Sequence, residues 1–211
     1  IASEMLYPIM PLYLNSIGFS SVTIGVLEGL AEAIAGISKM YFGRLSDLLG
    51  KRSLFVQFGY LMSSISKPLL AISSSMSWVF SCRTMDRLGK GIRTGARDAL
   101  LAEEASPQNK GKVFGLHRSM DTAGAVVGPL LALSYLYFID NNYQRIFWLT
   151  LIPGLMVVLL TRLVKDRPNS FSQLETKKPS LSECFRYFSN LPHKLKKLFG
   201  IFAVLSLVNS S

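Results

Sequence analysis

Apolar residues occur along the chain in long blocks that are separated by short charged segments. The blocks at residues 54–72, 119–139 and 146–161 carry few or no charges. Each approaches the roughly 20 helical residues that cross the hydrocarbon core of a bilayer. Two further blocks, at residues 22–42 and 78–102, are long enough to cross but contain internal charges. The pattern therefore predicts an all-helical protein that crosses a membrane several times.

Shorter apolar runs lie at both ends of the chain, in residues 1–14 and from residue 198 onward. Because the first residue is Ile rather than Met, we expect a fragment cut inside its first and seventh helices. The predicted organisation is a six-helix transmembrane bundle in residues 1–164, a linker in 165–197 and the start of a second bundle in 198–211.

The linker at residues 165–197 opens with Pro, Ser and Lys, which is typical of a solvated connection. In its second part, Ser180 and Glu183 have the spacing of a helix-capping box. Phe185 and Phe188 would then lie on one helical face beside basic residues. A short helix on the anionic inner leaflet and a solvated linker are the two alternatives.

The composition, with 49% hydrophobic and 17% charged residues, is more apolar than that of an ordinary soluble domain. The net charge of +10 comes mainly from the loops at 43–53, 103–112 and 165–197. The alternate loops contain one basic residue, Arg145. By the positive-inside rule, the basic loops are predicted to be cytoplasmic and the protein to lie in the cell (inner) membrane. The bilayer thus explains the charge without a nucleic-acid partner.

Enzyme and metal chemistry find little support in the sequence. The two glycine-rich basic segments lack the spacing of a phosphate-binding loop. Cys82 and Cys184 are too few for a disulfide framework, and neither His117 nor His193 has metal-ligand partners at the usual spacing. We expect no enzyme activity, no metal and no cofactor.

A charged stripe runs along the predicted fourth span. On a helical wheel its seven members fall within an arc of about 140°. They are Arg83, Asp86, Arg87, Lys90, Arg93, Arg97 and Asp98. Each charge at mid-bilayer costs at least about 2.5 kcal/mol, so the stripe must face water or protein.

Other spans carry charges that complement this stripe. Glu28, Glu32 and Lys39 share one side of the second span, and Arg118 and Asp121 lie in the fifth. The charges either pair to hold the helices in register or line a polar pathway, and their number favours the pathway. Glu28 and Glu32 are candidate proton carriers. The predicted substrate and proton cavity contains Glu4, Glu28, Glu32, Arg83, Asp86, Arg87, Lys90, Arg93, Arg118 and Asp121.

Small residues indicate where helices approach closely. Gly124 and Gly128 have GxxxG spacing in the fifth span, and Pro129 directly after them predicts a helix bend. The second span has a small face as well, formed by Gly25, Gly29, Ala33 and Gly36.

Three segments resemble motifs of the major facilitator superfamily. The segment "GRLSDLLGKR", residues 43–52, resembles the family's signature loop between the second and third helices. "RLGKG", residues 87–91, resembles its fourth-helix motif, and "GAVVGPLLA", residues 124–132, resembles the fifth-helix motif of proton-driven exporters. In the last segment, Leu131 and Ala132 replace the usual terminal glycines.

The resemblance implies a polytopic bundle of major facilitator type that moves a small-molecule substrate by alternating access between two six-helix halves. It assigns Gly43, Asp47, Gly50 and Arg52 to a cytoplasmic conformational gate, with Asp98 as an electrostatic partner, and links Arg87 to proton coupling. Export of amphiphilic compounds, as in a proton-driven antiporter, and movement of a small organic anion remain alternatives. A non-transporting membrane receptor or scaffold is a further one.

Overall fold

The computed structural model describes residues 2–138, 143–164, 166, 192–193, 195–197 and 201. Residues 1–176 and 177–211 form two separate compact units. Among the described residues of the first unit, the regular elements are all helices. They are α1 (Ala2–Leu6), α2 (Ile9–Ser16), α3 (Ser21–Leu49), α4 (Arg52–Leu69), α5 (Met76–Glu104), α6 (Lys110–Phe138), α7 (Tyr143–Leu149) and α8 (Leu151–Thr161).

These helices confirm the predicted helical class, but they do not confirm the predicted count of six spans and the start of a seventh. Within the described residues, three helical segments are long and apolar enough to cross a membrane: Ser21–Leu49, Lys110–Phe138 and Tyr143–Thr161. α4 and α5 are not among them because serines and charged residues lower their hydropathy. The predicted linker helix and most of residues 198–211 lie outside the described residues.

The boundaries of α3 have clear local causes. Ser20 caps its first turn, since the Ser20 hydroxyl accepts a hydrogen bond of 3.2 Å from the Thr23 amide. The helix ends at Gly50, which has a left-handed backbone with φ of 61°. Glycine adopts this conformation without steric cost, and it turns the chain directly into α4. This geometry explains why the loop needs glycine at position 50.

α5 is packed between α3 and α4 with backbone in contact on both sides. A Cβ atom added at Gly59 would lie 2.6 Å from the carbonyl oxygen of Gly89. One added at Gly91 would lie 2.5 Å from the carbonyl oxygen of Ala35, and one at Gly95 would lie 3.0 Å from the Gly43 Cα. Glycine at these positions lets the three helices form a tight layer.

Close approaches to other helices were also predicted for the glycines of the second and fifth spans, and the two spans differ. Gly25, Gly29 and Gly36 have no described atom within 4 Å of a Cβ added at any of them, so the expected contact face of the second span is wrong for this half. Gly128 does approach another helix, because its added Cβ would lie 2.9 Å from the Met5 amide nitrogen of α1. α6 continues through Pro129, and the bend there stays a prediction.

A second layer is formed by α1, α6 and α8. α6 packs mainly on α1, and α8 packs on α4. An apolar cluster joins α1 and α2 to α7, with Ile9, Leu14, Ile146 and Phe147 fully buried. The space between the two layers contains the cavity described below.

Candidate functional site

A network of ion pairs joins α3 to α5. Glu28 accepts hydrogen bonds from Arg83 Nε at 2.9 Å and from Arg87 Nη2 at 3.0 Å, and Arg83 Nη2 contacts the same carboxylate. Glu32 lies 3.5 Å from Arg87 Nε and 3.6 Å from Lys90 Nζ. We call these five residues the Glu28 cluster. Arg87 is its central member because it contacts both carboxylates.

A second ion pair is buried between α4 and α5. Lys67 Nζ lies 3.3 Å from Asp86 Oδ1, and the exposed fractions of the two residues are 3% and 6%. Ser63 donates its hydroxyl hydrogen to the same Asp86 oxygen, and its carbonyl accepts from Lys67 Nζ at 2.7 Å. Arg83 Nη1 lies 3.9 Å from the other Asp86 oxygen. Charges so deeply buried are tolerated because each has several partners.

The predicted stripe of α5 is thus divided between two neighbouring helices. Arg87 and Lys90 turn toward α3, whereas Asp86 and Arg93 turn toward α4. Pairing, which the sequence analysis ranked second to a polar pathway, accounts for the contacts of most of these residues. It brings carboxylates from α3 and a lysine from α4 against α5.

Two of the predicted gate residues, Asp47 and Arg52, form a cluster with Glu103 at adjacent ends of α3, α4 and α5. Arg52 Nε donates to Asp47 Oδ1 at 2.8 Å, and Arg52 Nη1 forms an ion pair with Glu103 of α5. Asp98 lies elsewhere, 3.3 Å from Lys39 and 3.2 Å from Arg97. The α5 partner of Arg52 is therefore Glu103 rather than Asp98, because Glu103 is more than one helical turn nearer the end of α5.

The segment after α8 also reaches this end of the bundle. Asp166 accepts hydrogen bonds from the Ser53 amide at 2.8 Å and from the Ser53 hydroxyl at 2.7 Å. Its carboxylate therefore caps the first turn of α4, next to Arg52. Gln57 Nε2 also donates a hydrogen bond of 3.2 Å to the Thr161 carbonyl oxygen of α8.

A cavity of about 370 Å³ lies between α4 and α5 on one side and α1, α6 and α8 on the other. This volume is within the range of small-molecule sites. Apolar side chains form part of its wall, among them Met120, Val127 and Val157. Its charged residues are Glu4, Lys67, Arg93, Arg97 and Asp121.

These charged residues differ in how they are paired. Lys67 is held by Asp86, Arg97 by Asp98, and Asp121 lies 3.6 Å from His117 Nε2. The Arg93 guanidinium lies over the Tyr60 ring, 4.6 Å from its centroid, which is a cation–π contact.

The structure brings some of the predicted cavity residues together and separates others. Glu4, Arg93 and Asp121 line the cavity with Gly124. The other predicted acids and bases of α3 and α5 lie in the two ion-pair networks, and Arg118 is exposed outside the cavity lining. Sequence reasoning did not assign Lys67, Arg97, Tyr60 or Glu103 to a site. Lys67 and Arg97 were visible as charges within spans, but helical periodicity does not identify neighbouring helices.

Comparison with known proteins identifies the family of this bundle. A model of the Major Facilitator Superfamily matches residues 1–211. The chain belongs to this superfamily. Its helices and family together support an integral membrane protein.

Several known proteins are similar to the chain. An uncharacterised MFS-type transporter of Methanocaldococcus jannaschii is 35% identical over 211 residues, which cover all of this chain and 51% of the relative. An uncharacterised protein of Mycobacterium tuberculosis is 30% identical over 162 residues, 75% of this chain and 39% of the relative. The quinolone resistance protein NorA of Staphylococcus aureus is 25% identical over 176 residues, 81% of this chain and 44% of the relative. The chain spans about half the length of the first of these relatives, and less of the other two.

Proposed function

We propose that the whole protein is a proton-coupled secondary transporter that moves a small solute by alternating access. The observation that carries the proposal is the cavity of about 370 Å³ with charged walls, inside a bundle of the major facilitator superfamily. A purely structural bundle would fill this space with apolar side chains, because buried charge is costly in a membrane.

The cluster of Asp47, Arg52 and Glu103 is suited to a conformational gate. Its ion pairs link the adjacent ends of three helices, and Arg52 is the shared partner. Contacts of this kind bias a two-state equilibrium when one state forms them and the other breaks them. Asp47 has an exposed fraction of 52% in its side chain, so it is open to partners from the other half of the protein.

The Glu28 cluster supplies a physical basis for proton coupling. Glu28 neutralises two guanidinium groups, those of Arg83 and Arg87. Protonation of Glu28 would remove the negative charge between them and leave the two cations with more distant partners, Glu32 at 3.5 Å from Arg87 and Asp86 at 3.9 Å from Arg83. A proton and an anionic group would then compete for the same cations, which couples their movements.

Two substrate classes from the sequence analysis each have support. The likeness to a protein named for quinolone resistance favours export of amphiphilic compounds. The cations Lys67, Arg93 and Arg97 in the cavity favour a solute with an anionic group. The two classes overlap in amphiphiles that carry a carboxylate or phosphate.

A flux screen on the full-length protein in sealed vesicles tests the proposal. We expect movement of at least one small amphiphile to depend on an imposed pH gradient and to stop when a protonophore collapses it. Empty vesicles without the protein are the control for passive leakage. If solutes bind but none crosses faster than in empty vesicles, the protein is a receptor or scaffold and the proposal is wrong.

A further inference from the structure

The cavity contains two opposite charges that lack ionic partners within this half of the protein. Arg93 and Glu4 both line it, and among the described residues neither has an oppositely charged group within 4.0 Å. The other two cations of the lining are already engaged, Lys67 by Asp86 and Arg97 by Asp98. A ligand that entered the cavity would therefore meet one available cation, Arg93, and the acidic groups Glu4 and Asp121, the latter only 3.6 Å from a histidine, His117.

The two groups lie on different walls. Arg93 belongs to α5, and its guanidinium lies over the Tyr60 ring of α4. Asp86 and Asp121 act on it electrostatically, but among the described residues no carboxylate forms a hydrogen bond or ion pair with it. Glu4 belongs to α1, on the opposite layer, where Asp121 of α6 adds a second acidic group. Asp121 has a weak partner in His117, at 3.6 Å, which carries a charge only when it is protonated.

The cavity lining also includes apolar side chains. Met120, Val127 and Val157 line the cavity beside Glu4 and Arg93. A solute that fits would therefore contact the guanidinium of α5, the carboxylate of α1 and the apolar side chains of the lining. A solute with only one charge would leave the opposite protein charge buried without a partner, which costs binding energy.

We propose that this cavity binds an amphiphilic zwitterion, with the carboxylate of the solute on Arg93 and its ammonium group on Glu4. This proposal rests on the proposed transport function and names the class of its substrate. A guanidinium binds a carboxylate through two parallel hydrogen bonds, and an ammonium group complements a carboxylate as a compact charge.

The test uses the full-length protein in detergent micelles and a panel of aryl amino acids with spacers of increasing length between the amino and carboxyl groups. Each is paired with its methyl ester, which keeps only the ammonium charge, and with its deaminated acid, which keeps only the carboxylate. We expect at least one zwitterion to bind about tenfold more tightly than both of its singly charged analogues, because each lost ion pair leaves a buried charge unpaired.

Two variants test which protein residue binds each charged group of the solute. Arg93→Gln should weaken binding of that zwitterion about tenfold and leave binding of its methyl ester unchanged. Glu4→Gln should weaken the zwitterion equally and leave the deaminated acid unchanged. Lys112→Gln, which changes an exposed cation at the start of α6 outside the cavity, is the matched control. Binding of the unaffected analogue shows that each variant is folded.

The outcomes separate the two proposals. If no zwitterion is preferred over its analogues, or if Arg93→Gln and Glu4→Gln weaken all three compounds equally, the zwitterion site is wrong. Gradient-driven flux of another solute in the vesicle screen would then still support transport. If zwitterions bind as expected but none crosses the membrane, the site stands and the transport function is wrong.

Discussion

Replacement of Lys67 by methionine tests how the buried charges hold the bundle together. Methionine is nearly as long as lysine and fills most of its space, so the main change is the loss of a charge. Asp86 would then keep the Ser63 hydroxyl and Arg83 Nη1, which lies 3.9 Å away, but lose the Lys67 ammonium group at 3.3 Å. Its carboxylate is 91% buried in the folded protein and cannot turn toward solvent.

The expected loss of stability follows from these contacts. Removal of one partner from a buried ion pair costs about 3–5 kcal/mol. Because Asp86 retains one hydrogen bond and one distant cation, we expect the lower end, about 3 kcal/mol. The double variant Lys67→Met with Asp86→Leu removes the stranded charge as well. We expect its free energy of unfolding to be within about 1 kcal/mol of the wild type.

Reversible unfolding of the full-length protein by SDS in mixed micelles measures these free energies. Wild type, both single variants and the double variant form a double-mutant cycle, which isolates the interaction between the two side chains. Stability is read without any transport assay, so the position of Lys67 at the cavity does not affect the result. The reasoning is refuted if Lys67→Met is as stable as the wild type, or if the two losses simply add.

Three further predictions concern the helix contacts, the gate and the coupling residue. Gly59→Ala should destabilise the protein by about 1–3 kcal/mol, because its Cβ would lie 2.6 Å from a backbone oxygen of α5. In the same SDS titration, Gly25→Ala should leave the free energy of unfolding unchanged, because no described atom lies within 4 Å of a Cβ added there. Equal losses of stability in the two variants would contradict the described packing. Asp47→Asn should slow transport in vesicles while membrane insertion, measured by extraction and yield, is unchanged; wild-type flux would count against the gate. Arg87→Ala should abolish gradient-driven flux, and unchanged flux would remove Arg87 from the mechanism.

The sequence predicted the positions of helices better than it predicted which helices pack against each other. The predicted blocks at 22–42 and 78–102 lie within α3 and α5, because hydropathy and helical period are local properties. α6 begins at Lys110, nine residues before the predicted block at 119–139. The same period put Arg83 and Lys90 on one stripe of α5. The helical period could not indicate that α3 lies on one side of this stripe and α4 on the other. This arrangement depends on the backbone contacts at Gly89 and Gly91.

The candidate site shows the same limit. Glu4, Arg93 and Asp121 come from three helices that are distant in sequence, and the charge pattern grouped them because acids and bases in spans are costly. Lys67 and Tyr60 were not predicted as site residues. Lys67 is a single cation in an otherwise apolar block, and Tyr60 is an uncharged aromatic residue of the same block. Glu103 was missed because the family resemblance directed attention to Asp98.

The tight glycine contacts of α5 have a mechanical consequence for the cavity. α3, α4 and α5 meet backbone to backbone and share the ion pairs, so we expect them to move as one stiff body. α6 packs mainly on α1, outside that body. A shift of this outer pair would widen or narrow the gap between Glu4 and Arg93 without breaking the network around Glu28. The cavity would thus have one fixed wall and one adjustable wall, which allows it to accept solutes of different lengths.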